Sequence, residues 1–324
     1  MAVFTHINES DLKEFLKNYN LENLNYFEGI NEGIQNTNYK VGVDSKDFIL
    51  TIYENINDIN DIDDINFFLN LMMHLSKKNI MCPTPVKNIE NKSLGTIKAK
   101  SSALLTFLKG KSVSLITKYH TEEIGKALAE LHMSVKDFDP IKNNDLSFNG
   151  WNKMIEKNKL KLNFIEDGLY GKLKNEYTRI ENLWPKDLPQ GIIHADLFPD
   201  NVLFLENKVS GLIDFYFSCH DFFAYDLSIC INAWCFDGDN NFSEENFKSL
   251  IKGYQGVKNL SKHELNSLPI LCSGSALRFL LTRVDNLNNS NDIDIVHYQD
   301  PQEFLKRLRF HEKISDIEAY GYDK

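Results

Sequence analysis

The sequence predicts an α+β protein with a small β-rich N-lobe and a larger helical C-lobe. Three observations carry that expectation. Up to about residue 108 apolar residues alternate in short runs, as half-buried strands require. Beyond Gly110 the apolar spacing lengthens to three and four, the period of a helix that buries one face. Among the helical stretches lies one β-like region, residues 191–215, with a knot of polar residues inside it.

The strands come first. Residues 25–30 form a short apolar run, and a turn-rich stretch, 31–36, leads to a second strand over 37–43. Asp44 and Ser45 make a turn into a third strand, 46–54, where Phe48, Leu50 and Ile52 face one way and Ile49, Thr51 and Tyr53 the other. The Asn/Asp/Ile run 55–64 reads as a solvated loop. A helix follows, from about Ile65 to Lys78, closing before the extended Pro83-Thr84-Pro85. Strands near 95–100 and 103–108 complete a small mixed sheet, and the lobes divide as 1–108 and 109–324.

In the second part, Thr121 is placed as the cap of a helix whose Ile124, Leu128, Leu131 and Val135 share a face. His132 lies on that apolar face and reads as a satisfied core histidine. Leu173, Tyr177, Ile180 and Trp184 mark another helix. The β region 191–215 turns at Asn207-Lys208. From Asp221 onward the chain reads as helical, with polar loops at 237–241 and 286–294.

Composition removes several function classes. The 324 residues are 42% hydrophobic and 25% charged, ordinary globular usage. A formal charge of −10 argues against a general nucleic-acid binder, which carries a basic stripe for phosphates. The five cysteines (Cys82, Cys219, Cys230, Cys235, Cys272) form no C-x-x-C pair and leave one over, so they read as reduced, buried thiols. The polar start, 1–11, lacks the apolar core of a signal peptide. The most apolar stretch, 268–282, is interrupted by Arg278 and falls short of the ~18 residues of a membrane span. A cytoplasmic protein with neither membrane nor nucleic-acid partners is expected; composition says nothing of its oligomeric state.

The polar knot is Gly191-Ile-Ile-His194-Ala-Asp196-Leu-Phe-Pro-Asp-Asn201-Val-Leu-Phe204, followed by Gly211-Leu-Ile-Asp214-Phe215. Phosphoryl transfer to an alcohol needs a carboxylate that orients the acceptor hydroxyl and takes its proton. It also needs hard oxygen ligands that hold Mg²⁺ against the phosphates. Asp196 suits the first role, and Asn201 with Asp214 the second. A turn-filling reading of Asp196 and Asn201 is the bland alternative; strand context, spacing and Asp214 together weigh against it.

The spacing H-x-D-x-x-x-x-N followed by a strand-borne Asp-Phe is similar to the catalytic loop and metal-binding aspartate of the protein-kinase-like fold. The resemblance implies a phosphate-covering loop at 32–39, where Gly33 permits close approach of backbone amides and Asn36 and Asn38 can donate. It implies a hinge at 107–110, with Phe107 beside adenine, and Mg·ATP bound between the lobes. One feature departs from the pattern. Thr51 stands where the third strand should carry a lysine, and the helix glutamate that would pair with it falls near Phe68, so both partners are missing together. His194 and Asp226 read as supports that hold the loop.

Within that fold the chain resembles the aminoglycoside phosphotransferase-like small-molecule kinases, and among them the homoserine kinases. Met1-Ala-Val-Phe-Thr5, Gly33 to Tyr39 and His194 to Phe204 look like that family, and the narrowing residues are the tail motifs Asn232-Ala-Trp234-Cys-Phe-Asp237, Ala276-Leu-Arg278-Phe-Leu-Leu-Thr-Arg283, Asp300-Pro301 and Arg307-Leu-Arg-Phe-His311. Threonine at the lysine position is also a feature of this branch. The implied reaction moves the γ-phosphoryl group of ATP to the hydroxyl of L-homoserine, a step of threonine biosynthesis. Arg278 and Arg283 are then candidates for a clamp on the substrate carboxylate, and Asn232, Trp234 and Asp237 for the pocket wall and the ammonium end. Kinases of the same fold acting on choline, methylthioribose or an aminoglycoside are the alternative, and a nucleotide-binding pseudokinase is the reading Thr51 motivates.

Overall fold

The computed structural model describes residues 3–30, 36–54, 59–287 and 300–322. The chain divides into two compact units. The first takes the described residues up to Gly110 together with Ser210–Tyr216; the second takes the remainder of the described chain.

The first unit is built on a five-stranded sheet in the order β1-β2-β3-β5-β4. The strands are β1 (Leu24–Ile30), β2 (Thr37–Val43), β3 (Lys46–Ile52), β4 (Leu94–Ile97) and β5 (Lys100–Thr106). Every pairing is antiparallel, where the sequence suggested a mixed sheet. Two tight turns enforce this. Asp44 and Ser45 take φ of 49° and 64°, and Lys98 and Ala99 take 51° and 60°, the left-handed pair that joins hairpin strands without splaying them. None of the four is glycine, which is why the second hairpin is hard to foresee.

A helix that the sequence reading did not assign, α1 (Glu9–Lys17), covers one face of the sheet. Asn8 and Asp11 form a reciprocal capping box at its start. Its Leu12, Phe15 and Leu16 join Tyr39, Val41, Leu50, Ile52 and Leu104 in one core cluster. Helix α2 (Ile59–Lys77) begins six residues earlier than Ile65, inside the run read as a loop. Asp61 in its first turn suits the positive end of the helix dipole. Phe68 of α2 meets Tyr216 edge-on at 5.5 Å, and the Tyr216 hydroxyl shares a 3.1 Å hydrogen bond with that of Tyr53.

In the second unit the described helices are α3 (Lys118–Ser134), α4 (Phe148–Lys157), α5 (Lys159–Ile165), α6 (Leu169–Leu183), α7 (Phe223–Trp234), α8 (Glu244–Gln255), α9 (Lys262–Asn286) and α10 (Pro301–His311). Short strands β6 (Gln190–Ile193), β7 (Val202–Leu205) and β9 (Cys219–Phe222) lie among them, while β8 (Lys208–Leu212) carries the chain from this unit into the first. β9 was not anticipated. It pairs antiparallel with β6, Ile193 opposite Cys219, and so braces the strand that leads into the polar knot.

The cap of α3 is Thr117 and not Thr121, which sits in the first turn with its hydroxyl bonded back to the Lys118 carbonyl at 3.0 Å. Helices α3 and α8 approach closely through glycines. A Cβ on Gly125 would lie 2.1 Å from the Leu250 carbonyl oxygen, and one on Gly253 2.0 Å from that of Glu122. This approach lets His132 of α3 reach Tyr254 of α8. The five cysteines are all free and buried. Among the described residues no helix is long and apolar enough to cross a membrane.

Candidate active site

The loop between β6 and β7 carries His194, Asp196 and Asn201. It turns sharply at Ala195, whose φ of 64° is left-handed and costs on the order of 1–3 kcal/mol for a residue with a side chain. Polar side chains on both sides hold that conformation. The Asp226 carboxylate, fully buried in the first turn of α7, accepts the amides of His194 at 2.8 Å and of Ala195 at 2.9 Å. From the other side Arg278 donates through Nη1 to the Ala195 carbonyl at 2.7 Å.

Asp226 also bonds His132 Nε2 at 3.0 Å, and His132 Nδ1 lies 2.8 Å from the Tyr254 hydroxyl. Burial pushes the His132 pKa down, with Asp226 opposing it. Burial alone would raise the Asp226 pKa; the hydrogen bonds from His132 and the His194 amide outweigh it and hold the carboxyl below its ordinary value. The arrangement is a carboxylate with three donors, in which a neutral His132 gives Nε2–H to Asp226 and accepts from Tyr254.

Asn201 closes the loop in a short 3₁₀ turn, Pro199–Asn201. Its Nδ2 donates to the Asp196 backbone carbonyl at 2.8 Å and to Asp196 Oδ2 at 3.0 Å. That commitment of the nitrogen leaves Oδ1 as the amide's ligand atom. Asp196 is half-buried, and its amide donates to His194 Nδ1 at 3.3 Å. The floor of the loop is apolar: Trp234 Nε1 holds the Leu197 carbonyl at 2.7 Å, and the Phe198 ring packs 4.8 Å from that of Phe279.

Asp214 belongs to the first unit, where it is exposed on a left-handed backbone with φ 64°. In the same unit Asn38 Oδ1 accepts from the Thr51 hydroxyl at 2.8 Å, and Asn36 Oδ1 accepts from the Glu54 amide at 3.4 Å. Gly33 lies outside the described residues. At the position where a helix glutamate would answer a strand lysine, Phe68 is buried against Tyr216, and Thr51 is 3% exposed. A cation on the same sheet face is Lys40, which the sequence reading did not single out. Its Nζ lies 4.7 Å from the centroid of Phe107 and 3.5 Å from Asp47. Two residues beyond Asn38 on β2, it shares a sheet face with Asn38 and Thr51, a placement the strand alternation contains.

Three residues expected at the substrate are enclosed. Asn232 is fully buried, its Nδ2 bonded to the Cys272 carbonyl at 3.0 Å and Ser275 Oγ at 2.8 Å, and its Oδ1 to His311 Nε2 at 3.1 Å. Trp234 is fully buried beneath the catalytic loop, and Arg278, 1% exposed, stands behind Ala195. The structure buries these three and gives them packing and loop-holding hydrogen bonds. Asp237 is exposed and closes a turn by accepting the amides of Asp239 and Asn241 at 2.9 and 2.8 Å; the Asn241 backbone and side chain hold its carboxyl below the usual range. Arg283 alone of that set sits in an ion-pair cluster, donating to Glu303 and to the Asp300 carbonyl. Sequence reasoning missed the partner that shares this cluster, Arg307, although its place one helical turn after Glu303 was a usable signal.

Comparison with known proteins bears on the whole chain. Residues 27–260 match the family model described as the phosphotransferase enzyme family. A homoserine kinase of Chelativorans sp. (strain BNC1) is 43% identical over 323 residues, covering 100% of this chain and 99% of that protein. A homoserine kinase of Parvibaculum lavamentivorans is 41% identical with 100% of both chains covered. Among solved structures, a spectinomycin phosphotransferase in complex with ADP and spectinomycin superposes with a TM-score of 0.65 at 16% identity, covering 98% of each chain. A Plasmodium vivax ethanolamine kinase gives 0.66 at 19% identity over 97% of this chain and 94% of that one. The solved structures share the fold with this chain.

Proposed function

The chain belongs to the phosphotransferase enzyme family, and on that premise we propose that it is a homoserine kinase, transferring the γ-phosphoryl group of ATP to the hydroxyl of L-homoserine to give O-phospho-L-homoserine. The observation that carries the reading is the Asn201–Asp196 pair, braced by Asp226, in a chain that matches homoserine kinases at 41–43% identity from end to end. The matched length takes in α9 and α10 as well as the loop that bears Asp196.

In this reading Asp196 accepts a hydrogen bond from the acceptor hydroxyl and takes its proton as the new oxygen–phosphorus bond forms, while the bond from γ-phosphorus to the bridging oxygen breaks and ADP leaves. The Asn201 bonds through Nδ2 keep the Asp196 carboxylate in one orientation, which is where a positioned base gains its rate. The donor set fits magnesium: Asn201 retains Oδ1 and Asp214 presents an exposed carboxylate, both hard oxygens, and the ion when bound would offset phosphate charge. Asn36, Asn38 and Phe107 contact the nucleotide. ATP as co-substrate suits a cytoplasmic enzyme.

The test is ADP release with Mg·ATP against L-homoserine, L-serine, choline, methylthioribose and kanamycin. Strong turnover on L-homoserine alone supports the assignment. Turnover on another alcohol keeps the fold and the role of Asp196 but removes homoserine. Bound ATP with no turnover on any acceptor favours the pseudokinase reading.

A further inference from the structure

Helices α9 and α10 meet at a charge cluster that does not balance. Arg283 Nη1 donates to Glu303 Oε2 and Arg307 Nη2 to Glu303 Oε1, so two guanidiniums share one carboxylate. Their remaining partners are neutral. Arg283 Nη1 also reaches the Asp300 carbonyl at 3.0 Å, Arg307 Nε reaches Asn240 Oδ1 at 3.2 Å, and Arg307 Nη1 donates to the Asn232 carbonyl. The side chains of Arg283 and Arg307 are 9% and 6% exposed, so one positive charge sits largely out of water without a counter-ion among the described residues. Uncompensated, such a charge costs several kcal/mol.

Two further observations describe the surroundings of that charge. Arg283 Nε is buried and has no hydrogen-bond partner among the described residues. Burial, with Glu303 opposing and the Arg283 charge adding to it, brings the Arg307 pKa down to about 10. Both guanidiniums stack on one ring, Phe304, at 4.4 Å and 4.8 Å from its centroid. Phe304 in turn lies 6.1 Å from Phe198, the ring midway between Asp196 and Asn201. An anion that answered this charge would lie one aromatic ring away from the loop bearing Asp196 and Asn201. The opening to it is Glu303, whose side chain is 32% exposed.

We propose that this cluster reads the amino-acid end of the acceptor, Arg283 and Arg307 taking the carboxylate and Glu303 the ammonium group. The proposal rests on the homoserine reading and supplies what that reading lacks, a site of matching charge near Asp196. A zwitterion suits it: the carboxylate answers the excess cation, and the ammonium answers Glu303 at its partly exposed edge. Arg278 donates to the Ala195 carbonyl at 2.7 Å, and the cluster of matching charge is the one at Glu303.

The experiment uses acceptors that each lack one charge: 3-aminopropan-1-ol without the carboxylate and 4-hydroxybutyrate without the ammonium. Each is measured as a substrate, or as a competitive inhibitor of L-homoserine phosphorylation. Arg283→Gln is expected to raise KM for L-homoserine at least tenfold and to weaken 4-hydroxybutyrate comparably. KM for ATP and the constant for 3-aminopropan-1-ol should stay within about twofold. Glu303→Gln should show the mirror pattern, weakening L-homoserine and 3-aminopropan-1-ol but not 4-hydroxybutyrate. Arg283→Lys, which keeps the charge, covers the case in which the glutamine variant fails to fold, and should recover part of the loss for carboxylates only. Equal loss for all three acceptors and ATP would mean that the cluster only ties α9 to α10, overturning the proposal while homoserine turnover by the unmodified enzyme stands. No homoserine turnover by the unmodified enzyme would remove the parent reading and this one together.

Discussion

Asn201 grips Asp196 twice, at the backbone carbonyl and at one carboxylate oxygen, 2.8 and 3.0 Å away. One side chain thereby sets both the position of the loop and the direction in which the carboxylate points. The two residues are expected to respond differently to substitution. Asp196→Asn removes the proton acceptor while keeping the shape, so kcat should fall by about 10²–10⁴, the range general-base loss produces, with ATP affinity retained. Asn201→Ala should lower kcat and also raise the magnesium needed for half-maximal rate. ATP titration calorimetry beside steady-state kinetics checks both. A parallel loss of ATP binding in Asp196→Asn would remove its catalytic role.

Asp226 is the deeper fixture. Replacing it with alanine strands the amides of His194 and Ala195 and the Nε2–H of His132, all buried. Unsatisfied groups of this kind cost about 1–3 kcal/mol each, so Asp226→Ala should lose at least about 3 kcal/mol in urea unfolding, and activity with it. A loss below about 1 kcal/mol would show that the left-handed turn at Ala195 holds itself.

Acid should destabilise the fold earlier than carboxylates alone would. Burial lowers the His132 pKa, and burial with the Arg307 charge lowers that of His311 to about 3. Below the unfolded value of 6.5 the unfolded chain takes up protons that the folded chain refuses, so stability falls as pH drops from there toward the folded values. Above about 6.5 these groups contribute no slope. Asp226, with a lowered pKa, adds stability that is lost only further down, as pH falls through its folded value. His311 alone gives a slope of up to about 1.4 kcal/mol per pH unit between roughly pH 6 and 4, and His132 adds to it in the same direction. Urea melts at half-unit steps would show it, and His311→Gln should flatten the slope by about one proton.

Restoring the strand lysine should harm this protein. At Thr51 a lysine would enter a site 3% exposed, with Phe68 where its glutamate would be and an asparagine amide beside it. An unpaired buried cation carries a penalty of several kcal/mol, so Thr51→Lys is expected to lower Tm by well over 5 °C and not to raise kcat. A more active Thr51→Lys enzyme would mean that a counter-charge reaches this position.

Regular elements were easiest to read where side chains alternate. β2 lies where its alternation put it, and the antiparallel arrangement of the sheet follows from turns whose left-handed residues, Lys98 and Ala99, carry no glycine signal. α1 is only nine residues long, and its three core residues are outnumbered by charges, so packing rather than propensity forms it. At the site, the linear motif from His194 to Asn201 is compact enough to be seen in sequence, and its hydrogen bonds are local. The distant substrate candidates were another matter. Asn232, Trp234 and Arg278 stand out as polar or aromatic residues in apolar helices, and sequence cannot separate one that faces a ligand from one whose partners are a carbonyl and a serine. Glu303 was not singled out in the sequence, and Arg307, one turn on, stood there only as part of a family motif.

The first unit is not a continuous piece of chain, and this orders its biosynthesis. Its sheet and α2 are complete in sequence by Gly110, but Leu212, which donates to the Met81 carbonyl at 2.8 Å, and Tyr216, which covers Phe68 and Tyr53, arrive about a hundred residues later. At a translation rate of about 5–20 residues per second the nascent sheet waits roughly 5–20 seconds with that apolar edge uncovered. A ribosome-bound fragment ending soon after Gly110 is thus a chaperone client by construction. The unit becomes whole only after the loop bearing Asp196 and Asn201 has already left the ribosome.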